Sequence, residues 1–342
     1  MGDIDRGGIF AQLLGTLWLL EPEELALVRG LVVNKFRGDP ALFSAGVRIL
    51  EERGGVPVVG VVPFLHDLGI PEEDAVAIEA LRAVVPDPAP PQAVDIAVIA
   101  LPRIANFDDF DPLAAEPGVQ VRFVASRQEL GHPHAIILPG TKSTMADLAW
   151  LRAQGLAEAI QQLAAAGSAV VGICGGYQML GRLIRDPELV ESSRAALPGL
   201  GLLPAETVFE REKATHRVQA RLLDGPGWLA ELAGQVVEGY EIHMGRTQAD
   251  GAWLEIVERG GKPAHVRDGV VSGDGRIWGC YLHGLFANPA LRHAWLAWLG
   301  WRPAASPGQP AGHQAGFERL ADAVETALDM DLLQAIIASG LD

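Results

Sequence analysis

The chain has 342 residues, 49% hydrophobic and 20% charged, enough for two domains at roughly 100–200 residues each. Its net charge of −16 excludes a general nucleic-acid binder, which needs clustered Lys and Arg, but leaves room for a local basic pocket that takes a small anion. Two cysteines, Cys174 and Cys280, give no disulfide framework and point to a reducing cytoplasm.

In chain order, the apolar run Ile9 to Leu20 comes after Asp3 and Asp5 rather than a basic segment, so it does not read as a signal peptide. At about a dozen residues it is also too short to cross a bilayer, and a soluble protein with no membrane partner is expected. LVRGLVVNKF (27–36) and GVPVVGVVPF (55–64) are apolar and β-branched, as buried parallel strands are. The segment between them, DPALFSAGVRILEERG, has helical spacing and completes a βαβ unit. Pro86 to Pro91 hold four prolines, which neither a helix nor a central strand tolerates. That stretch predicts a first domain over 1–85, a linker over 86–93 and a second domain over 94–342.

The second part continues the rhythm. Strands are expected at 95–101, 119–124, 134–140 and 168–174, with helices near 143–154 and 156–166, which implies an α/β sheet with helices on both faces. Beyond residue 200 the segments 216–223, 236–247 and 276–286 read as strands. The tail keeps helical spacing from Phe317 through Leu320, Val324, Leu328 and Ile336, as an amphipathic helix docked on the second domain would.

Chemistry concentrates at VVGICGGYQML (170–180). Cys174 ends an apolar strand and precedes a helix, between Gly172 and the pair Gly175 and Gly176. A nucleophile on a tight strand-to-helix turn needs such small neighbours, and the helix N-terminus favours a thiolate. The same stretch also fits a buried structural cysteine. Among nine histidines, His283 in WGCYLHGLF is the best base, because it ends an apolar strand at the sheet edge where α/β sites lie. Cys280 falls on the opposite face and reads as core. ILPGTKST (137–144) is a strand running into a Pro-Gly turn and a helix start. It suits either an anion-holding loop or an ordinary capped turn.

Taken together these stretches resemble the class I glutamine amidotransferases, and within them the cobyric acid synthase family. LPRIANFDDFDPL (101–113), LPGTKST, GICGGYQMLG, GYEIHMGRT (239–247) and GCYLHGLF carry the likeness, while GDIDRGGIFAQLLGT and VVNKFRGD are similar to the family's synthetase domain. The resemblance implies a flavodoxin-like amidotransferase domain after an incomplete P-loop-like, dethiobiotin-synthetase-like α/β domain. It implies that Cys174 attacks the glutamine amide and His283 shuttles the proton. Gly140, Thr141 and Gly175 would then serve the oxyanion or substrate. Many class I members carry a glutamate two residues past the histidine; here that residue is Leu285, so a Cys–His dyad is expected. Tyr240 and His243 would border the site and position glutamine or the corrinoid, unless their role is structural; Glu241 is taken to face away from both.

The family's reaction is glutamine- and ATP-dependent amidation of the b, d, e and g side-chain carboxylates of adenosylcobyrinic acid a,c-diamide, giving adenosylcobyric acid in cobalamin biosynthesis. ATP and Mg2+ would be cofactors, glutamine and a corrinoid the partners. Asp3 and Asp5 would lie near nucleotide and metal, Asn34 and Lys35 near the base. No G-x-x-x-x-G-K-[ST] occurs in the chain, so the N-terminal part of the synthetase domain is expected to be absent. Alternatives are a fragment with glutaminase or binding activity only, and a related amidase such as cobyrinate a,c-diamide synthase or a peptidoglycan-precursor amidase.

Overall fold

A computed structural model describes residues 1–65, 68, 93–303 and 313–340. Of the expected linker only Ala93 falls among them. The chain divides into two units, residues 1–71 with 311–342 and residues 72–310.

The first unit opens with β1 (Gly2–Asp3), α1 (Ile9–Leu19), β2 (Leu31–Phe36), α2 (Ser44–Gly54) and β3 (Val58–Pro63). The strands lie parallel in the order β1-β2-β3. β2, α2 and β3 form the expected βαβ unit. α2 begins after a 3-10 turn over Pro40–Phe43, where the Asp39 side chain accepts from Ala41 N. Helix α1 buries Ile9, Leu13, Leu14 and Leu17, a stripe at helical spacing, against Leu31, Val33 and Leu50.

The second unit holds β4 (Val94–Ile99), β5 (Val119–Val124), β6 (Ala135–Leu138), α3 (Thr144–Ala153), α4 (Leu156–Ala166), β7 (Ala169–Ile173) and α5 (Gly175–Leu180). After them come β8 (Leu183–Arg185), β9 (Ala196–Pro198), β10 (Ala205–Leu222), β11 (Val236–Ala249), β12 (Leu254–Arg259) and β13 (Lys262–Asp268). The chain then returns through β14 (Val270–Val271) and β15 (Ile277–Cys280) to α6 (Pro289–Trp298). One sheet runs β14-β15-β7-β6-β4-β5, parallel except for β14 at its edge. Its parallel strands have the flavodoxin-like order, which reverses between β4 and β6. Those strands are apolar along nearly their whole length because both faces are covered. Ile96 and Val98 point into one core, Ala97 and Ile99 into the other.

A second sheet, β13-β12-β10-β8-β9 with β11 on β10, is inserted between β7 and β15. Pairing of β10 with β11 shifts between Val208, opposite Arg246, and Lys213, opposite Met244. Residues 209–212 of β10 therefore bulge over Gly245, whose φ is +86°.

The tail forms α7 (His313–Ala327) and α8 (Met330–Ser339), two helices rather than one. They belong to the first unit, whereas the sequence reading attached them to the second. Asp329 breaks the tail by capping Leu332 N, and its own N–H donates to Val59 O at 2.8 Å. Gly60 permits this approach, since a Cβ there would lie 2.4 Å from Ala327 O.

Candidate active site

Four loops at the carboxyl ends of β4, β6, β7 and β15 converge, where open α/β sheets build their sites. Cys174 ends β7 with φ +52° and ψ −110°, a strained conformation for a residue with a Cβ. The turn is possible because Gly176 presses on β6: a Cβ there would sit 1.9 Å from Leu138 O. Gly172 and Gly175 are similarly tight against Tyr177 and Thr141. Cys174 is 7% exposed, and its Sγ donates to Ile242 O of β11 at 3.6 Å. Cys280 is fully buried core, as expected.

His283 comes just after β15 and is 1% exposed. Its backbone pairs with Tyr240 in both directions, at 2.8 and 3.2 Å, and the Tyr240 ring stacks on the imidazole at 5.1 Å. The imidazole also lies over Gly140, where a Cβ would meet Cε1 at 2.7 Å. Nδ1 donates to Asp109 Oδ2 at 2.6 Å, and the other oxygen of Asp109 accepts Gly284 N–H at 2.8 Å. This corrects the expected dyad: a carboxylate orients the imidazole, but it comes from the loop after β4 rather than from the position of Leu285. Leu285 is 1% exposed and belongs to the core. Burial alone would lower the His283 pKa; the charge and hydrogen bond of Asp109, helped by the Cys174 side chain, push it up to about 10.

The loops after β4 and β6 are stitched together. Ala105 N donates to Gly140 O and Lys142 N to Arg103 O, each at 2.9 Å. Buried Asp147 accepts from Arg103 N, from its guanidinium and from the Thr141 hydroxyl. This sets Thr141 beside the cysteine turn, with its backbone nitrogen 3.3 Å from the Cβ position of Gly175. Gly140, Thr141 and Gly175 thus meet at one place, beside Cys174.

Tyr240 and His243 part company. Tyr240 faces His283, while His243 stacks on Tyr281 at 3.7 Å and lies 3.6 Å from the Glu241 carboxylate. Glu241 and His243 share a face because strand side chains repeat every second residue, so the expectation that set Glu241 apart from both is corrected. Burial works to raise the Glu241 carboxyl, yet His243 and Arg259 hold it below its ordinary value.

A cavity of about 370 Å³ opens on Cys174 and His283. Its wall includes two residues that the sequence reading missed, Gln178 and Glu191. Gln178 is buried; its carbonyl accepts from the Thr144 hydroxyl at 2.9 Å and its amide donates to Met244 O at 2.9 Å. It lies four residues past Cys174, one helical turn, a spacing that could have flagged it.

In the first unit, Asp3 is ion-paired with Lys35 at 3.2 Å, and Asp5 with Arg37 at 2.6 Å. Lys35 is held at φ +61°, with its N–H donating to Asn34 Oδ1. No group of three or more His, Cys, Asp or Glu side chains that could hold a metal ion occurs among the described residues. No described helix is long and apolar enough to cross a membrane.

Residues 95–291 match the family profile described as the CobB/CobQ-like glutamine amidotransferase domain. The chain is 52% identical to the cobyric acid synthase of Chloroflexus aurantiacus over 98% of its own length and 66% of that protein. It is 50% identical to the one from Sorangium cellulosum over its full length and 68% of that protein. The chain thus spans about two thirds of the length of these curated relatives. A solved structure of PurLQS from Thermotoga maritima overlays with a TM-score of 0.46 at 20% identity, covering 61% of this chain and 98% of that one.

Proposed function

Because this chain belongs to the CobB/CobQ-like glutamine amidotransferase family, we propose that its second unit hydrolyses glutamine through Cys174, His283 and Asp109. The ammonia would serve amidation of corrinoid side-chain carboxylates, the b, d, e and g groups of adenosylcobyrinic acid a,c-diamide. The observation that carries the glutaminase reading is the buried imidazole of His283, held by Asp109 and lining one cavity with Cys174 at the carboxyl edge of the sheet.

The Cys174 thiolate attacks the carboxamide carbon, and the C–N bond breaks as protonated His283 gives its proton to the leaving ammonia. Neutral His283 then takes a proton from water, whose oxygen attacks the thioester; glutamate forms and the thiolate leaves, which restores the starting pair. The high pKa of His283 suits the first role, since the imidazole carries its proton at neutral pH. Gly175 N–H and the neighbouring Thr141 N–H are the donors proposed for the oxyanion; a side chain on either glycine, Gly140 or Gly175, would crowd that spot.

ATP-dependent activation of the carboxylates is proposed for the whole enzyme of this family. Asp3 and Asp5 are engaged by cations here, so no step is assigned to them. Replacing Cys174 by Ala should abolish ammonia release from glutamine by the purified chain. Release that persists at the wild-type rate would overturn the assignment.

A further inference from the structure

The segment that carries His283 is fastened by a carboxylate on each side. β15 ends at Cys280, so the backbone donors beyond it need partners outside that strand ladder. Past the histidine, Gly284 N donates to Asp109, and His283 N itself donates to Tyr240 O. Ahead of it, Tyr281 N donates to Oδ2 of Asp268 at 2.8 Å, while Oδ1 accepts Gly269 N at 2.7 Å. Asp268 stands where the chain crosses from the inserted sheet to the parallel one. It pairs with Leu254 of β12, and Val270, two residues on, pairs with Gly279 of β15. Gly269 makes the crossing at φ +78°, and a Cβ there would lie 2.3 Å from Trp253 Nε1.

Tyr281 passes this hold on. Its hydroxyl meets the Thr247 hydroxyl of β11 at 2.6 Å and accepts from Gln178 Nε2 of α5 at 3.2 Å, and its ring stacks on His243. One residue thus ties the histidine segment to the helix behind Cys174 and to β11, whose Ile242 O accepts from Cys174 Sγ. Asp268 lines a second cavity of about 350 Å³ with His216 of β10, Glu241 and His243 of β11, and Arg259 of β12. Among the described residues, the wall of the cavity that opens on Cys174 does not include it. Burial lifts its carboxyl to about 6 against the Tyr281 and Gly269 N–H groups and the charge of His243, with Glu241 adding to the rise. Burial, and after it the charge of Asp268, raises Tyr177 and Cys280. The folded chain keeps this aspartate ionised at a cost in free energy, a pattern met at functional sites.

We propose that Asp268 is a positioning residue for glutamine hydrolysis, setting through Tyr281 the place of the His283 imidazole against Cys174. This rests on the glutaminase reading and adds to it a residue that touches neither glutamine nor the reacting atoms.

The test follows kcat and KM for glutamine in D268N from about pH 5 to about pH 9, per site counted with a diazoketone analogue of glutamine that labels Cys174. Asparagine presents an NH2 group where one of the two N–H donors needs an acceptor, as the protonated acid presents its OH. Near pH 8, kcat should fall about tenfold or more with KM within about threefold, since the loss lies in the transition state. As pH falls through about 6 the unmodified chain protonates Asp268, so the ratio of the two kcat values should shrink toward unity. A cap that only stabilises the fold gives a ratio independent of pH. That result, an unchanged kcat, or a loss confined to KM overturns the proposal. If D268N does not fold, D268E, which keeps the charge and displaces it by a methylene, should lower kcat and keep the limb near 6; a kcat equal to that of the unmodified chain overturns the proposal. If the unmodified chain releases no ammonia, the glutaminase reading fails by itself, and alkylation of Cys174 by iodoacetamide, followed by mass spectrometry, decides the role of Asp268. A misplaced imidazolium leaves less thiolate, so the rate near pH 8 should drop about tenfold or more in D268N, and equal rates would overturn it.

Discussion

At the scale of single residues, the site depends on which groups set the proton on His283. Asp109 is the decisive partner: it takes Nδ1–H with one oxygen and fixes Gly284 with the other. Asp109→Asn keeps the shape but removes the charge and admits the wrong tautomer, so kcat for glutamine hydrolysis should fall on the order of 10³-fold. The alkaline limb of kcat/KM should also move down, because the carboxylate is what lifts His283 to about 10 against burial. The same shift sets the sign of the effect on stability. His283 titrates near 6.5 when exposed and near 10 in the folded chain, so its contribution is whole below about 6.5 and is lost as pH rises through about 10. Denaturant midpoints of the unmodified chain and D109N should therefore converge across that window. A gap that widens instead would show that Asp109 acts in some other way. Asp109 lies within LPRIANFDDFDPL, where three acids in four positions and a separation of 174 residues from His283 offer no local signal of its role. Cys174 and His283 were legible for the opposite reason: each carries its structural context, strand end and glycine, beside it in the sequence.

At the scale of elements, the β7–α5 elbow holds its nucleophile at φ +52° because α5 sits down on β6 through Gly176. That geometry costs on the order of 1–3 kcal/mol for a residue with a Cβ. Cys174→Ala keeps the Cβ and the strain, whereas Cys174→Gly removes both. Glycine gives back part of the gain through the freedom of its unfolded chain. C174G should thus unfold at higher denaturant than C174A, by about 1 kcal/mol, though neither variant can attack glutamine. Equal midpoints would mean that the turn is not strained. Strand and helix positions in this half were largely readable, because β4, β6 and β7 are apolar runs bounded by turn residues and α3 and α4 have clear helical spacing. The inserted sheet was less readable. β10 runs 18 residues through charged segments such as EREK, and its pairing with β11 is interrupted by a bulge, so neither length nor register shows as a simple alternation. The side on which Glu241 lies can be read from strand period alone, and its ion pair with Arg259 at 2.7 Å cannot.

At the scale of the whole chain, each unit has its own core. Ile9, Leu13, Leu17, Leu31, Val33 and Leu50 close the first, while Ile96, Ile137, Val171 and Trp278 belong to one face of the second unit's parallel sheet. Docking of α7 and the Leu328–Asp329 junction on β3 makes the first unit discontinuous in sequence, something that a proline-rich boundary near residue 90 could not reveal. Every group assigned to glutamine hydrolysis, from Asp109 to His283, lies in the second unit. Ligand that binds only the folded site stabilises what it touches by mass action, about 2.7 kcal/mol at a hundred times its Kd. Glutamine added to the C174A chain at that excess should slow amide hydrogen exchange in β4, β6, β7 and β15, by up to about a hundredfold where exchange requires opening of that sheet. Exchange in β2 and β3 should stay unchanged, because their core shares no residue with the one that carries the site. Equal protection of both sheets would instead show that the two cores open as one cooperative body, and the division of labour between the units would have to be redrawn around that coupling.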